Sequence, residues 1–308
     1  EYEVSLNGLT EIDRVIPDWN QRINIISGIG EPFCRKLLVR LIKDKVKWIH
    51  WSEGFRFRLR SLITIPLQIF YSRFVINRFA LGLLASGSHA YKQYRQWGVE
   101  RHKLAELPYS IQAPVSTFLP PTSFTFLFLG SIENRKGVDC LLNAFALLPN
   151  DWDIKLKVVG RVSDDEGEKP IDFYQQIINQ YDIKDKVEFL PPVKVNTIGD
   201  TISSCHVLVL PSRFDGFGVV VSEAAALGKT LIASDQVGSA ETLIDNCVNG
   251  YIFKSENVVA LSNCMRAAYR VGFNSRRSNI STNNFTRVEA IQNALRLELI
   301  LDSLLSME

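Results

Sequence analysis

The sequence predicts an α/β protein of two domains, each built on a doubly wound parallel sheet. Short, nearly continuous apolar runs alternate with longer segments that repeat apolar residues at helical spacing, a pattern typical of parallel strands covered by helices on both faces. A loop-rich stretch at 108–121, with four prolines, separates these elements into two sets. The chain has 308 residues, of which 46% are hydrophobic. This is enough for two domains with separate cores.

The first set comprises three strands and three helices. The predicted strands are 23–26, 46–51 and 81–85, and the predicted helices are 31–43, 63–79 and 88–97. Pro66 lies inside the second helix. A proline there removes a backbone donor, so we expect a kink near it.

The second set has a clearer pattern. Its predicted strands are 124–129, 154–159, 187–189, 207–210 and 230–233, and its predicted helices are 138–147, 171–181, 197–204 and 219–227. We expect domains at 1–115 and 116–285, followed by a C-terminal helix at 286–308 that packs back on the first domain. Two such domains leave a cleft between the carboxyl ends of their strands, where ligands bind.

The composition excludes several classes of protein. Charged residues make up 22% of the chain and the mean hydropathy is +0.03, which fits neither a disordered nor a membrane-spanning chain. The five cysteines are widely spaced without a Cys-x-x-Cys pair, and the four histidines show no metal-ligand spacing. We therefore expect no disulfide framework, no bound metal and a reducing, cytoplasmic location.

The positive charge is concentrated in the first half. Residues 1–115 have 17 basic and 10 acidic side chains, a net charge of +7, whereas the remainder has a net charge of −5. The segment 55–60 alternates apolar and basic residues. This predicts peripheral contact with an anionic membrane surface, such as the inner leaflet, or with an anionic acceptor. A solvated helix face is the alternative. Nucleic acid is not expected as a partner, because no recognised module accompanies the basic residues.

The strongest local signal is the segment Pro-Ser-Arg-Phe-Asp-Gly-Phe-Gly at 211–218, which follows a buried strand and leads into a helix. Gly216 and Gly218 allow a tight turn and close approach of the backbone to a ligand. The amino end of the new helix suits an anion such as phosphate. Glu223 lies about a turn and a half into that helix and is expected to point back at the same ligand. An ordinary strand–helix turn with a surface glutamate is the alternative.

A second loop stands at the equivalent place after the domain's first strand. It has the sequence Gly-Ser-Ile-Glu-Asn-Arg-Lys-Gly at 130–137. Two glycines bracket the adjacent cations Arg135 and Lys136 beside a helix start. This arrangement favours phosphate binding. A solvated basic turn is the alternative.

Together these stretches resemble the retaining glycosyltransferases of family four, which have the GT-B fold. The resemblance covers about residues 124–270 and includes Gly-x-x-x-x-x-Lys-Gly-Val-Asp at 130–139 and Gly-Phe-Gly leading to Glu at 216–223. Further matching segments are 141–145, 187–191, 209–212, 226–229, 232–235, 241–244 and 249–253. The first half matches more loosely, at 83–88, 98–99 and 107–110. The resemblance implies two Rossmann-like domains facing across a cleft, the first for an acceptor and the second for a nucleotide-sugar donor.

The resemblance also implies a role for each matching residue. The family's acidic pair falls on Asp215, near the donor sugar, and on Glu223, which accepts hydrogen bonds from the ribose. Lys136 matches the lysine that neutralises the diphosphate. The backbone of the Gly216-Phe217-Gly218 segment contacts sugar and phosphate. Ser131, directly after Gly130, stands where the family usually has arginine, with Arg135 as a substitute, and Asp215 stands where it usually has glutamate.

Two weaker candidates lie in the first half. His50 and Glu53 follow the second strand and are predicted to orient the acceptor or donor, a buried structural histidine being the alternative for His50. The segment Ser-Gly-Ile-Gly-Glu-Pro at 27–32 could start a dinucleotide fingerprint with Glu53 as the ribose acid. The third glycine of that fingerprint allows the helix to pack closely on the strand, and Phe33 stands at its position here. The sequence therefore does not favour NAD binding.

The predicted function is the transfer of a sugar from a nucleotide-diphosphate donor to a glycan or a polyprenyl-diphosphate-linked acceptor. The family implies retention of anomeric configuration without a metal or other cofactor. The main alternative is a degenerate paralogue that binds nucleotide or a protein partner without turnover. A glycoside hydrolase using Asp215 and Glu223 is a further rival. A continuous helix would separate residues eight apart by roughly 12 Å, which is too far for such a dyad.

Overall fold

A computed structural model describes residues 9–27, 31–55, 61–117, 121–165, 167–272 and 275–306. The chain divides into two compact units, which are Glu1–Pro108 with Leu295–Glu308, and Tyr109–Ala294. Each unit has one parallel sheet with helices, so the predicted α/β class is confirmed. Among the residues described, no helix has the length and hydropathy of a membrane span.

Ten strands are seen in the described residues. They are β1 (Asn24–Ser27), β2 (Trp48–Ser52), β3 (Gly82–Ala85), β4 (Leu104–Glu106), β5 (Phe124–Leu129), β6 (Ile154–Val159), β7 (Val187–Leu190), β8 (Val207–Leu210), β9 (Thr230–Ser234) and β10 (Gly250–Phe253). All predicted strands are confirmed to within two residues at each end. The short strands β4 and β10 were not predicted.

The helices of the described residues are α1 (Leu9–Val15), α2 (Pro32–Lys43), α3 (Ser61–Phe70), α4 (Asn77–Phe79), α5 (Ser88–Gln96), α6 (Val138–Ala146), α7 (Ile171–Gln180), α8 (Ile198–Ser203), α9 (Val219–Ala226), α10 (Ala240–Leu243), α11 (Val258–Val271), α12 (Ser275–Phe285) and α13 (Ala290–Leu305). The predicted helices are confirmed with small shifts at their ends. The prediction omitted α1, α10, α11 and α12.

The predicted helix 63–79 has an irregular middle. Helix α3 continues through Pro66, and Tyr71–Ile76 then form a π-helical segment that leads directly into α4. The described change of helix type therefore comes at Tyr71, five residues after the proline at which a kink was expected. We call this uninterrupted stretch helix 61–79.

The smaller unit has a four-stranded parallel sheet in the order β1-β2-β3-β4. Because side chains alternate along a strand, Trp48 packs in the core formed with α2 and α5, while Ile49 faces the opposite side. Helix α13 covers this opposite side with Leu297, Ile300 and Leu304. The carboxyl end of the chain thus completes the core of the smaller unit.

The larger unit has a six-stranded parallel sheet in the order β10-β9-β8-β5-β6-β7. The chain builds outward from β5 to β7 and then returns to build from β8 to β10 on the other side. The strand order therefore reverses between β5 and β8. In open α/β sheets, ligands bind outside the carboxyl ends of the strands at such a switch point.

Candidate functional site

The two predicted phosphate-type loops lie side by side at this switch point. The loop 130–137 follows β5, and the loop 211–218 follows its neighbour β8. The backbone N–H groups of Arg213 and Phe214 both donate to the carbonyl of Arg135, at 2.7 and 3.4 Å. A Cβ on Gly137 would lie 2.3 Å from the carbonyl oxygen of Pro211. Contact this close requires glycine at 137 and fixes the spacing between the loops.

Lys136 and Asp215 form an ion pair across these loops. The Lys136 Nζ atom lies 2.5 Å from Asp215 Oδ2, and the two side chains are only 13% and 11% exposed. Asp215 is itself held by its backbone, because its N–H donates to Gln236 and its carbonyl accepts from Gly238, each at 3.0 Å. The structure therefore brings together the residues that were predicted to meet the diphosphate and the donor sugar.

A second ion network, which the sequence reasoning missed, braces the same loops. The Arg213 guanidinium donates to both oxygens of Asp139 at 2.9 and 2.8 Å, to the carbonyl of Asn134 at 2.6 Å and to Glu256 at 2.8 Å. Lys169 adds a contact of 2.7 Å to Asp139. Arg213 lies in the motif at 211–218 and Asp139 in the motif at 130–139. Their opposite charges in these two motifs were the only sign in the sequence that they could pair.

The pKa values of this network follow from its pairing. Burial raises the pKa of Asp139, but the hydrogen bonds from Arg213 and Lys169 outweigh it and lower the pKa to about 2. The hydrogen bonds to Asp139 likewise raise the pKa of the Arg213 guanidinium. Asp139 is thus charged at neutral pH and holds the Arg213 guanidinium in place.

Glu223 stands apart from these pairs. It lies on α9 and is partly buried, and its carboxylate has no hydrogen-bond partner among the residues that the structure describes. Burial raises the pKa of its carboxyl above the ordinary value. A desolvated carboxylate without a donor is costly, so this position suits a ligand that supplies hydroxyl groups.

The Gly216-Phe217-Gly218 segment is held by its backbone against residues 236–239. Ser239 N–H donates to the carbonyl of Phe217 at 2.8 Å. Gly218 caps α9 with φ at 80°, a left-handed conformation that favours glycine. The Phe217 ring is buried and contacts Tyr109 edge-on, with ring centroids 5.2 Å apart. Only backbone groups of this segment are therefore suited to contact a donor, as the resemblance implies.

The other residues of the first loop are differently engaged. Ser131 hydrogen-bonds to Glu133, which also pairs with Arg135 at 2.7 Å. Gly130 N–H donates to Val159 at 3.0 Å and joins the loop to β6. The side chain of Arg135, predicted to support phosphate binding, thus has an acidic partner in Glu133. Its backbone carbonyl accepts the hydrogen bonds that join it to the second loop.

His50 and Glu53 lie in the smaller unit. His50 is 3% exposed, its Nδ1 has no partner among the described residues, and burial lowers its pKa to about 4. Its ring meets Tyr71 edge-on at 5.5 Å. Glu53 follows β2 and is partly exposed, and its carbonyl accepts from Ser52 Oγ at 3.1 Å. Their proposed roles in orienting substrates remain predictions.

Asp215 and Glu223 do not share one continuous helix, because α9 begins at Val219 and Asp215 lies before it. The separation of roughly 12 Å that was expected along a helix therefore does not apply to this pair, and that reason against a hydrolase was wrong. Residues 28–30, in the segment compared with a dinucleotide fingerprint, and residues 56–60, in the alternating basic segment, lie outside the described residues. Within the residues that are described, no cluster of three or more His, Cys, Asp or Glu could hold a metal ion.

Comparison with known proteins agrees with this geometry. The chain is 31% identical over 160 residues to D-inositol 3-phosphate glycosyltransferase 1 of Catenulispora acidiphila, covering 51% of this chain and 38% of that protein. It is 29% identical over 135 residues to an uncharacterized glycosyltransferase of Haemophilus influenzae, covering 44% and 36%. The matches thus span little more than a third of the length of these curated relatives.

Solved structures show the same fold. Anabaena Alr3699/HepE in complex with UDP has a TM-score of 0.77 at 15% identity, covering 95% of this chain and 82% of that chain. Sucrose-phosphate synthase from Thermosynechococcus elongatus has a TM-score of 0.71 at 17% identity, covering 99% and 82%. These likenesses bear out the GT-B class. Residues 112–286, more than half of the chain, match the model of the family "Glycosyl transferases group 1", and the chain belongs to that family.

Proposed function

We propose that the protein transfers a sugar from a nucleoside-diphosphate sugar to a glycan or a polyprenyl-diphosphate-linked acceptor, with retention at the anomeric carbon and without a metal. The observation that supports this most is the ion pair of Lys136 and Asp215 at the switch point. Glu223, whose carboxylate has no partner among the described residues, lies on the helix that follows the second loop. The relatives named as glycosyltransferases and the neighbour bound to UDP support a nucleotide-sugar donor.

In this mechanism the two loops stabilise the departing diphosphate. Negative charge develops on the leaving group as the glycosidic bond breaks, and a fixed cation aimed at that charge lowers the barrier. Lys136 supplies the cation, and the amino ends of α6 and α9 add backbone dipoles. Glu223 accepts hydrogen bonds from the ribose, and Asp215 contacts the sugar once Lys136 turns to the phosphate.

The test uses Glu223→Gln with UDP as the first nucleotide probe. A carboxyl whose pKa is raised by burial contributes stability only at low pH and loses it as pH rises through the folded pKa, so ionised Glu223 destabilises the free protein at neutral pH. The variant should therefore melt at a higher temperature than wild type. It should also bind UDP more weakly, by roughly tenfold or more, because charge-assisted hydrogen bonds contribute about 1.5–3 kcal/mol.

The exposed Glu188→Gln on β7 is the matched control and should change neither property. Equal UDP affinity in wild type and Glu223→Gln would remove Glu223 from the donor site. If UDP itself does not bind, the same comparison is made with the nucleotide that a thermal-shift screen selects. Binding of a donor sugar without its consumption would favour the non-catalytic paralogue. Loss of turnover on adding EDTA would contradict the metal-free reaction.

A further inference from the structure

Helix 61–79 of the smaller unit has an exposed apolar face. Leu67, Phe70 and Phe74 are 62%, 57% and 57% exposed. The rings of Phe70 and Phe74 contact each other, with centroids 4.9 Å apart. The opposite face of the helix is already buried, with Ile76 in the core of the unit. A surface helix normally turns polar residues outward, so a contiguous apolar face of this kind indicates a binding surface.

The charged residues of this stretch of chain are of one sign. Arg73 and Arg78 are exposed on the same stretch of helix, and the Arg78 guanidinium lies 5.4 Å from the ring of Phe79, itself 45% exposed. No aspartate or glutamate occurs anywhere between Gly54 and Val99. Exposed aromatic residues interleaved with arginines, without acids, are typical of helices that lie in the interface of an anionic bilayer.

A cationic groove lies at the carboxyl end of the same helix. It has a volume of about 410 Å³, and its lining includes Lys45, Lys47, Arg78 and Phe79. Lys45 and Lys47 are exposed at the turn before β2. Cations around a groove of this size suit the phosphate group of a lipid, while Phe79 contacts the adjoining acyl region.

We propose that the exposed face of helix 61–79 lies in the interface of an anionic phospholipid bilayer, with the groove at its carboxyl end accepting lipid phosphate groups. This goes beyond the proposed function, because it does not depend on the donor site. A second copy of the chain fits the face less well. A twofold contact would place this helix, which has arginines and no acidic residue, against itself and bring its cations together.

The test is co-flotation of the full chain with vesicles of phosphatidylcholine, with and without about one third phosphatidylglycerol. Wild type should bind the anionic vesicles, and binding should fall with rising salt because surface charges are screened. Phe70→Ser with Phe74→Ser should lower the partition coefficient at least about tenfold, since two aromatic side chains no longer enter the interface. Arg73→Glu with Arg78→Glu should lower it by a similar factor.

Matched controls come from the larger unit. Val195→Ser with Val259→Ser removes exposed apolar side chains, and Lys254→Glu with Arg270→Glu reverses exposed charges. Both controls should bind vesicles as wild type does. Failure of wild type to bind anionic vesicles at low salt would overturn the proposal, as would equal binding by Phe70→Ser/Phe74→Ser. A wild-type dimer that becomes monomeric in that variant would instead assign the face to a second copy. UDP binding by the same helix variants is measured separately and should equal that of wild type, so that a loss of vesicle binding is not caused by a change at the donor site.

Discussion

Asp139→Asn tests whether the Arg213 network holds the donor loops. The substitution keeps the size and shape of the side chain and removes its charge. The ordinary pKa of this group is 3.8 and the folded value is about 2. At about 1.36 kcal/mol for each pKa unit, the charged form stabilises the fold by about 2 kcal/mol at neutral pH. The side chain is only 13% exposed, so solvent screening removes little of this.

The sign of the pH dependence follows from the lowered pKa. A carboxylate with a depressed folded pKa contributes stability above its unfolded pKa and loses it as pH falls through the folded value. The difference between wild type and Asp139→Asn should be about 2 kcal/mol at pH 7 and should shrink between about pH 4 and pH 2. Urea unfolding at several pH values gives this difference. The two units need not unfold together, so the unfolding of the larger unit is also measured by itself. Hydrogen–deuterium exchange in peptides that contain β5 and β8 gives this measurement.

Asp245→Asn is the matched control in the same unit. Asp245 lies 3.7 Å from Arg287, and both side chains are more than 40% exposed. An exposed pair of this kind is worth at most about 1 kcal/mol. A loss of stability in Asp139→Asn no larger than that in the control would refute the reasoning. So would a difference that grows as the pH falls.

Two further predictions concern the loops. Lys136→Ala should lower turnover roughly 100- to 1000-fold, and it should also lower the melting temperature, because Asp215 stays poorly hydrated and unpaired. Adding Asp215→Asn should restore the melting temperature without restoring turnover. Recovery of turnover in the double variant would contradict the role of Lys136 at the leaving group. Gly137→Ala should destabilise the protein by more than the about 1–2 kcal/mol of a left-handed alanine, because its Cβ would also meet Pro211. Gly167 also has a positive φ, at 87°, and open space around it, so Gly167→Ala should show a backbone cost without a steric contact in urea unfolding.

Much of the fold was predictable because the strands of a parallel sheet are apolar on both faces. The ranges 124–129, 154–159 and 207–210 match the observed strands residue for residue. Strand β4 was missed because only three residues pair, two of them partly exposed. Helix α12 was missed because its sequence, rich in Ser and Asn, has little local helical preference and forms by packing against α9.

The sequence predicted which loops form the candidate site, but not which side chains pair within it. Glycines at 137 and 218 lie where the backbone must be left-handed, and local sequence identifies such positions. The Arg213–Asp139 pair joins residues 74 positions apart, and no local pattern specifies such a contact. His50 was ambiguous for the same reason, since the alternation of a strand gives the face of a side chain but not what covers it.

The donor loops and helix 61–79 differ in how their charges are balanced. In the donor loops, Lys136 is paired with Asp215, Arg135 with Glu133 and Arg213 with Asp139. In the proposed mechanism a donor diphosphate replaces Asp215 as the partner of Lys136 within a poorly hydrated site, where salt screens little. Helix 61–79 has cations without a nearby acid in sequence, so the proposed attraction to an anionic bilayer acts over a long range and is weakened by salt. Rising ionic strength should thus separate the two activities, releasing the protein from vesicles while leaving nucleotide affinity nearly constant.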